Sequence, residues 1–343
     1  MSNQEQVLVT GITGFIAKHV AIKALERGYT VRGTVRSMKK ADRVRETLSK
    51  YTTNAADKLN FVEADLSSDT GWDDAVENCR YVLHVASPFP SVQPKDRYAL
   101  VPEAKEGTLR VLRAAAKASV DHVVVTSSMA SIIYRDVPPG DTQFTEEDWA
   151  NPNADQTTSY YVSKVVAEKA AWDFIKDNPT DMKLTTICPG FVMGPELDIE
   201  TGTSASVIVD MMKGKMPAAP KAGFMTVHVD DVAEAHLRAL EVPEAAGERF
   251  AAVSDFLWFK DYGAIIAAKH PAFARKMPKF TAPDFAVKLL ARIDGSVAAV
   301  VPDLGRRRLV SNQKAREILK MEFKSGRKAL EDMAKSIVDL NLV

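Results

Sequence analysis

Two periodicities alternate along the first half of the chain. Short, nearly continuous apolar runs, among them Val7-Leu8-Val9, Tyr81-Val82-Leu83 and Val123-Val124-Val125, are separated by longer stretches in which apolar residues recur every three or four positions. The runs read as strands buried on both faces and the stretches as amphipathic helices. The pattern predicts strands over 7–10, 29–35, 59–64, 81–86, 120–127 and 184–188. It predicts helices over 14–27, 39–51, 98–118 and 159–177, and a short one over 73–77. Strands alternating with helices imply an α/β fold, a doubly wound parallel sheet covered on both faces. After about residue 190 Pro and Gly become denser, as in Pro189-Gly190, Gly194-Pro195 and 217–220. The expected division is a sheet domain over 1–190 and a smaller, mainly helical lobe over 191–343, with a segment near 225–235 returning to the first.

Composition narrows the partners. Lys plus Arg and Asp plus Glu number 45 each, so the net charge is zero and nothing draws the chain to nucleic acid or an anionic membrane. No apolar run is long enough to span a bilayer, and the polar start Met1–Gln6 is unlike a secretion signal. Two cysteines, Cys79 and Cys188, in 343 residues suit a reducing compartment, and the expected location is the cytoplasm. The six histidines form no metal-ligand spacing, and no metal is expected.

The first strand runs into Thr10-Gly11-Ile12-Thr13-Gly14-Phe15-Ile16-Ala17. Gly11 permits a tight turn, and Gly14 lets the backbone approach a phosphate. The helix that follows aims its free N–H groups and positive dipole end at the anion. The spacing is G-x-x-G-x-x-A, and the competing reading is an ordinary tight turn.

Tyr160 and Lys164 stand four apart on a predicted helix and share a face. An ammonium beside a phenol, whose ordinary pKa is about 10, favours phenolate and makes proton exchange feasible near neutral pH. Tyr161 is the alternative tyrosine, out of that spacing. Ser127 and Ser128 end the fifth strand, where doubly wound sheets bind ligands. One of them is expected to be a strand-end hydroxyl only.

These segments resemble the extended short-chain dehydrogenase/reductases, a family with a Rossmann-type fold. The likeness is to the subgroup of dihydroflavonol 4-reductases, cinnamoyl-CoA reductases and yeast-type methylglyoxal (aldehyde) reductases. It rests on Val9 to Ala17, Thr34-Val35-Arg36-Ser37, Asp65-Leu66, Leu83-His84-Val85-Ala86-Ser87-Pro88-Phe89 and Val125-Thr126-Ser127-Ser128. It continues through the Tyr160/Lys164 pair, Pro189 to Pro195 and His228 to Ala233. The resemblance implies hydride transfer from a reduced nicotinamide to a carbonyl carbon. Ser128 would hold the carbonyl oxygen, Tyr160 would donate the proton, and Lys164 would lower the tyrosine pKa and hold the ribose. Cofactor contacts are implied at Gly11, Thr13, Gly14, Phe15, Ile16, Asp65, Leu66, Val85, Ala86, Ser87, Tyr160, Lys164, Pro189, Gly190 and Val192. Substrate contacts are implied at Phe89, Ser128 and Phe191.

The second strand ends at Arg36 with Lys39 and Lys40 following, and no acid stands there before Asp42. NAD enzymes place a carboxylate at this point, whereas a guanidinium suits a phosphate. Arg36 and Lys40 therefore point to NADP(H). The local text Thr158-Ser159-Tyr160-Tyr161-Val162 lacks the cinnamoyl-CoA reductase signature, which weighs against a CoA thioester, and Glu106 stands where some relatives carry an asparagine.

The expected function is an NADPH-dependent carbonyl reductase giving an alcohol reversibly, acting on a small neutral substrate as a monomer or homodimer. The pocket is expected between a roof over 191–224, rich in methionines, and a wall over 87–92. The alternatives are an NAD(P)-dependent nucleotide-sugar epimerase or dehydratase, and a non-catalytic NADPH-binding sensor. Met211, Met212 and Met216 read as core or pocket. Arg306-Arg307-Arg308 reads as a solvated face, and His228 and Asn312 as helix caps.

Overall fold

In a computed structural model the described residues are 5–88, 94, 96–155 and 157–343, the side chain of Ser296 excepted. Seven parallel strands form one sheet: β1 (Gln6–Val9), β2 (Thr30–Val35), β3 (Leu59–Glu63), β4 (Tyr81–His84), β5 (His122–Thr126), β6 (Lys183–Pro189) and β7 (Arg249–Ala252), in the order β7-β6-β5-β4-β1-β2-β3. All five residues of β5 are buried, as expected for a strand covered on both faces. One face packs on α1 (Phe15–Glu26), α2 (Ala41–Ser49) and α6 (Val229–Glu241). The other packs on α3 (Val101–Lys117) and α4 (Ser159–Asp177). Strand order reverses between β1 and β4, so a crevice opens at their carboxyl ends.

The second lobe builds its core from α5 (Thr203–Met212), α7 (Phe259–Lys269) and α8 (Gly326–Asp339). It also holds a three-stranded sheet of Phe191–Met193, Gly223–His228 and Phe256–Trp258. Met211 and Met212 are fully buried in this core, and Met216 packs against it.

Several expectations are corrected. The return to the main sheet is longer than 225–235: all of α6 and the strand β7 belong to it, and Ala315, Leu319 and Met321 pack beneath them. The sequence pattern missed β7, which is only four residues long and opens with a charge. The expected helix over 39–51 begins at Ala41, after a 3₁₀ turn Met38–Lys40. The arginine triplet is no solvated face. Arg306–Val310 pairs in parallel with Gly140–Phe144, and Arg308 is buried against Asp303, a carboxylate that needs a buried cation. His228 does cap α6, accepting from Asp230 N–H. Asn312 stands at a helix start without capping it; its Nδ2 donates to the Val253 carbonyl at 2.7 Å and its Oδ1 accepts from Arg316 Nε at 3.0 Å.

Candidate active site

The turn after β1 is built around Gly11. Its φ of +63° is left-handed, and a Cβ there would meet the Ala86 Cβ at 2.9 Å. Gly11 N–H donates to Thr34 Oγ1 at 2.8 Å, and Gly14 N–H donates to the Gly11 carbonyl at 2.9 Å. Thr10 Oγ1 accepts from Ala86 N–H at 3.0 Å, which turns the chain after β4 toward the same crevice. α1 starts at Gly14 with no side-chain cap, leaving its first N–H groups to face the crevice.

A cavity of about 710 Å³ runs along the carboxyl ends of the strands into the second lobe. Of the expected site residues it is lined by Gly11, Thr13, Gly14, Phe15, Ile16, Arg36, Asp65, Leu66, Val85, Ala86, Ser87, Ser128, Tyr160, Gly190, Phe191 and Val192. Lys40, Lys164 and Pro189 stand back from it. Lys40 is exposed at the end of its 3₁₀ turn. Lys164 is buried behind the tyrosine. The Pro189 carbonyl accepts from Met129 N–H at 2.8 Å, so that residue ties strand ends together. Phe89 and 90–92 lie outside the described residues.

Asp65 Oδ1 accepts from the N–H and Oγ of Ser67 at 2.8 and 2.7 Å. These bonds hold its carboxyl below the ordinary range. Arg36 is the only cationic side chain lining the cavity among the described residues. Both groups stand past the ends of β2 and β3.

At the other end lies the reactive cluster. Thr158 caps α4 by accepting from Tyr161 N–H, which sets the helix register. Tyr160 and Ser128 both line the cavity, and the Ser128 hydroxyl is close enough to act on the phenol. Ser128 Oγ also accepts from Ala130 N–H at 3.1 Å. The neighbouring Ser127 turns inward to Glu168 Oε2 at 2.5 Å, so it is the structural serine of the pair. Lys164 Nζ donates to the Thr126 carbonyl at 3.4 Å and lies 5.8 Å from the centre of the Tyr160 ring. Burial lowers the Lys164 ammonium to about 8, with Glu168 one turn on acting in the opposite sense. Burial pushes the Tyr160 phenol up, and the Ser128 hydroxyl acts against it. In this arrangement the ammonium is directed to the Thr126 carbonyl behind the phenol ring. His84, pushed down to about 3 by burial, is neutral and accepts or donates only within the Thr10 pair.

The substrate end is walled by Phe191, Phe224 and Phe259, with Phe191 and Phe224 stacked at 5.7 Å. Among the described residues Met129 is the only methionine in the lining; those of α5 lie in the core instead. Gly202 to Ser204 line the cavity from within the roof expected over 191–224; the sequence reading missed Tyr134, Glu103 and the segment around Val300, which also line it. Tyr134 and Val300 come from short turns without periodicity, whereas Glu103 stands in the first turn of α3, where an acid reads as an ordinary helix-start residue. Among the described residues no group of three or more His, Cys, Asp or Glu side chains is placed to hold a metal ion, and no helix is long and apolar enough to cross a membrane.

A family model described as the NAD dependent epimerase/dehydratase family matches residues 7–252, from β1 to the last residue of β7. The chain belongs to this family. Within the family, which comprises extended short-chain dehydrogenase/reductases, it is 35% identical to cinnamoyl-CoA reductase CAD2 of Medicago truncatula, over 81% of this chain and 84% of that one. It is 33% identical to ketoreductase azaE of Aspergillus niger, over 98% of each chain. The structure superposes on yeast methylglyoxal/isovaleraldehyde reductase Gre2 complexed with NADPH with a TM-score of 0.80 and 26% identity, covering 98% of this chain and 99% of that one. The Rossmann-type fold and the reductase subgroup expected from the motifs are therefore those found.

Proposed function

We propose that the protein is an NADPH-dependent reductase that converts aldehydes or ketones reversibly to alcohols, with Tyr160 as proton donor. The observation that carries this reading is that Ser128 and Tyr160 line one cavity in front of a buried Lys164, and that this cavity continues to the Gly11 turn and Arg36. The relatives named above as reductases, one of them complexed with NADPH, support it.

The residues present fit the dinucleotide. Gly11 leaves room that a side chain would fill, the uncapped start of α1 suits a diphosphate, and Arg36 with no acid beside it at the end of β2 suits a ribose phosphate. When bound, the nicotinamide supplies hydride to the carbonyl carbon. Ser128 donates to the substrate oxygen and orients it. Tyr160, kept protonated by burial, gives its proton to that oxygen as negative charge develops. Lys164, held by the Thr126 carbonyl, supplies positive charge behind the phenol as the proton leaves. The Phe191, Phe224 and Phe259 wall excludes water and binds by shape and apolar area, so broad use of medium-sized neutral carbonyls is expected.

The epimerase or dehydratase alternative is not favoured. A nucleotide sugar needs cations for its phosphates at the substrate end, and among the described residues the one lining cation, Arg36, stands at the other end. The sensor alternative leaves the Ser128, Tyr160 and Lys164 arrangement without purpose. A panel of aldehydes, diketones, ketoesters and flavonoid ketones, followed by NADPH consumption, tests the reading. Activity on a nucleotide sugar and none on neutral carbonyls overturns it.

A further inference from the structure

The segment that returns from the second lobe brings a carboxylate against the catalytic helix, and the reduction described above does not use it. Asp303 closes the 3₁₀ turn Val301–Asp303 and is 2% exposed. Arg308 Nη1 donates to its Oδ1 at 2.5 Å. Tyr134 Oη lies 3.1 and 3.0 Å from its two oxygens, and Tyr161 Oη lies 3.4 Å from Oδ2. The two tyrosine rings stack with centroids 3.6 Å apart and an angle of 12° between them. The Arg308 guanidinium lies over the Tyr134 ring at 4.8 Å. Both tyrosines line the cavity, together with Gly295, Ala299 and Val300 just before Asp303. Tyr161 follows Tyr160 directly, and their ring centres are 6.0 Å apart.

A phenol carries one proton, and an ionised carboxylate only accepts. Both phenol protons are therefore committed to Asp303, and the phenol oxygens keep only lone pairs to offer. Burial and the adjacent Asp303 push both phenols well above their ordinary range, so neither proton is given up at neutral pH. A wall made this way accepts a hydrogen bond and does not donate one. Opposite stand the apolar rings of Phe191, Phe224 and Phe259, so this edge is a point at which polarity can sort substrates.

We propose that Asp303 is a specificity-determining positioning residue: by fixing the stacked Tyr134–Tyr161 pair it gives the substrate end a hydrogen-bond-accepting edge that selects carbonyl compounds bearing a hydroxyl group next to the carbonyl. This rests on the carbonyl-reductase reading.

The test uses two ketones of equal size, 2-hydroxyacetophenone and propiophenone, which differ by hydroxyl against methyl. The ratio of their kcat/KM values with NADPH is compared among the wild type, Tyr161→Phe and Asp303→Asn. Comparing ratios cancels the intrinsic reactivity of each ketone and any general loss from imperfect folding. The hydroxyketone preference is expected to fall about five- to tenfold in both variants, the worth of one neutral hydrogen bond. Tyr161→Phe keeps Asp303 paired with Arg308 and Tyr134, so it decides the matter if Asp303→Asn does not fold. An unchanged ratio in an active Tyr161→Phe overturns this proposal and leaves the reductase reading standing. A wild type that reduces no carbonyl compound at all overturns the reductase reading, and this proposal with it.

Discussion

Lys18 and Asp198 join the phosphate-turn helix to the second lobe through an ion pair of 2.7 Å, with exposures of only 2% and 14%. Asp198 also accepts from Thr47 Oγ1 at 3.2 Å, and Arg43 pairs with Glu200 at 2.9 Å. Residues 195–202 are thereby tied to both α1 and α2 before Gly202 and Thr203 reach the cavity. Removing one partner strands the other. Asp198→Asn is expected to lose about 3 kcal/mol of stability, because Lys18 stays buried without its counter-charge. It should also weaken NADPH binding. Urea unfolding and a fluorescence titration read the two effects. A double variant, Lys18→Met with Asp198→Leu, should recover much of the stability, and an unmoved urea midpoint in Asp198→Asn would show the pair to be idle.

On the proposed reading Arg36 decides between the two nicotinamide cofactors. Arg36→Ala should lose on the order of 1.5–3 kcal/mol of NADPH binding, about ten- to a hundredfold in kcat/KM, with little change for NADH. Lys40→Ala should matter far less, since Lys40 stands off the cavity. Equal use of both cofactors by the wild type contradicts the assignment.

Turnover should depend on Tyr160 far more than on its neighbour. Tyr160→Phe should abolish most of kcat while still binding NADPH, and Ser128→Ala should lower kcat by one to two orders of magnitude, the usual worth of one positioned donor. Tyr161→Phe should retain much more activity than Tyr160→Phe. If Tyr161→Phe is the inactive one, the roles along α4 are reversed.

The pH profile follows from Lys164. Its folded pKa, about 8, lies below the ordinary lysine value, so its positive charge is present below pH 8 and lost as pH rises through it. Carbonyl reduction should accordingly decline above about pH 8. Tyr160, whose phenol is raised by burial, remains protonated there and does not cause the decline. Lys164→Met should be slow at every pH and lack that descending limb, as kcat/KM between pH 6 and 10 would show.

The sheet was legible because its strands are apolar runs and some of its helices carry clear stripes; Val123-Val124-Val125 and the helix Val101–Lys117 need no tertiary information to place. The turn at Gly11 and the Tyr160–Lys164 spacing were legible for a similar reason, since local chemistry dictates both. What escaped was set by distant partners. Arg308 looks solvated until Asp303 is brought against it. β7 acquires its strand identity from pairing with β6. Between Ser127 and Ser128 the residues alone left the choice open and only the family likeness pointed to Ser128; in the structure Ser127 is engaged by Glu168, forty-one residues further along the chain. The methionines of α5 read as core or pocket from the sequence, and packing puts them in the core.

The position of β7 at the edge of the sheet has a consequence for how the molecule comes into being. The chain leaves the sheet after β6, builds α5, and returns for α6 and β7 before finishing the second lobe. No single cut separates one lobe from the other, so a fragment ending near residue 190 lacks an edge strand and one of its covering helices. The polypeptide must be nearly fully synthesised before the sheet can close. Folding should therefore follow translation rather than accompany it, with one cooperative melting transition for both lobes and slow refolding dominated by contacts between residues far apart in the chain.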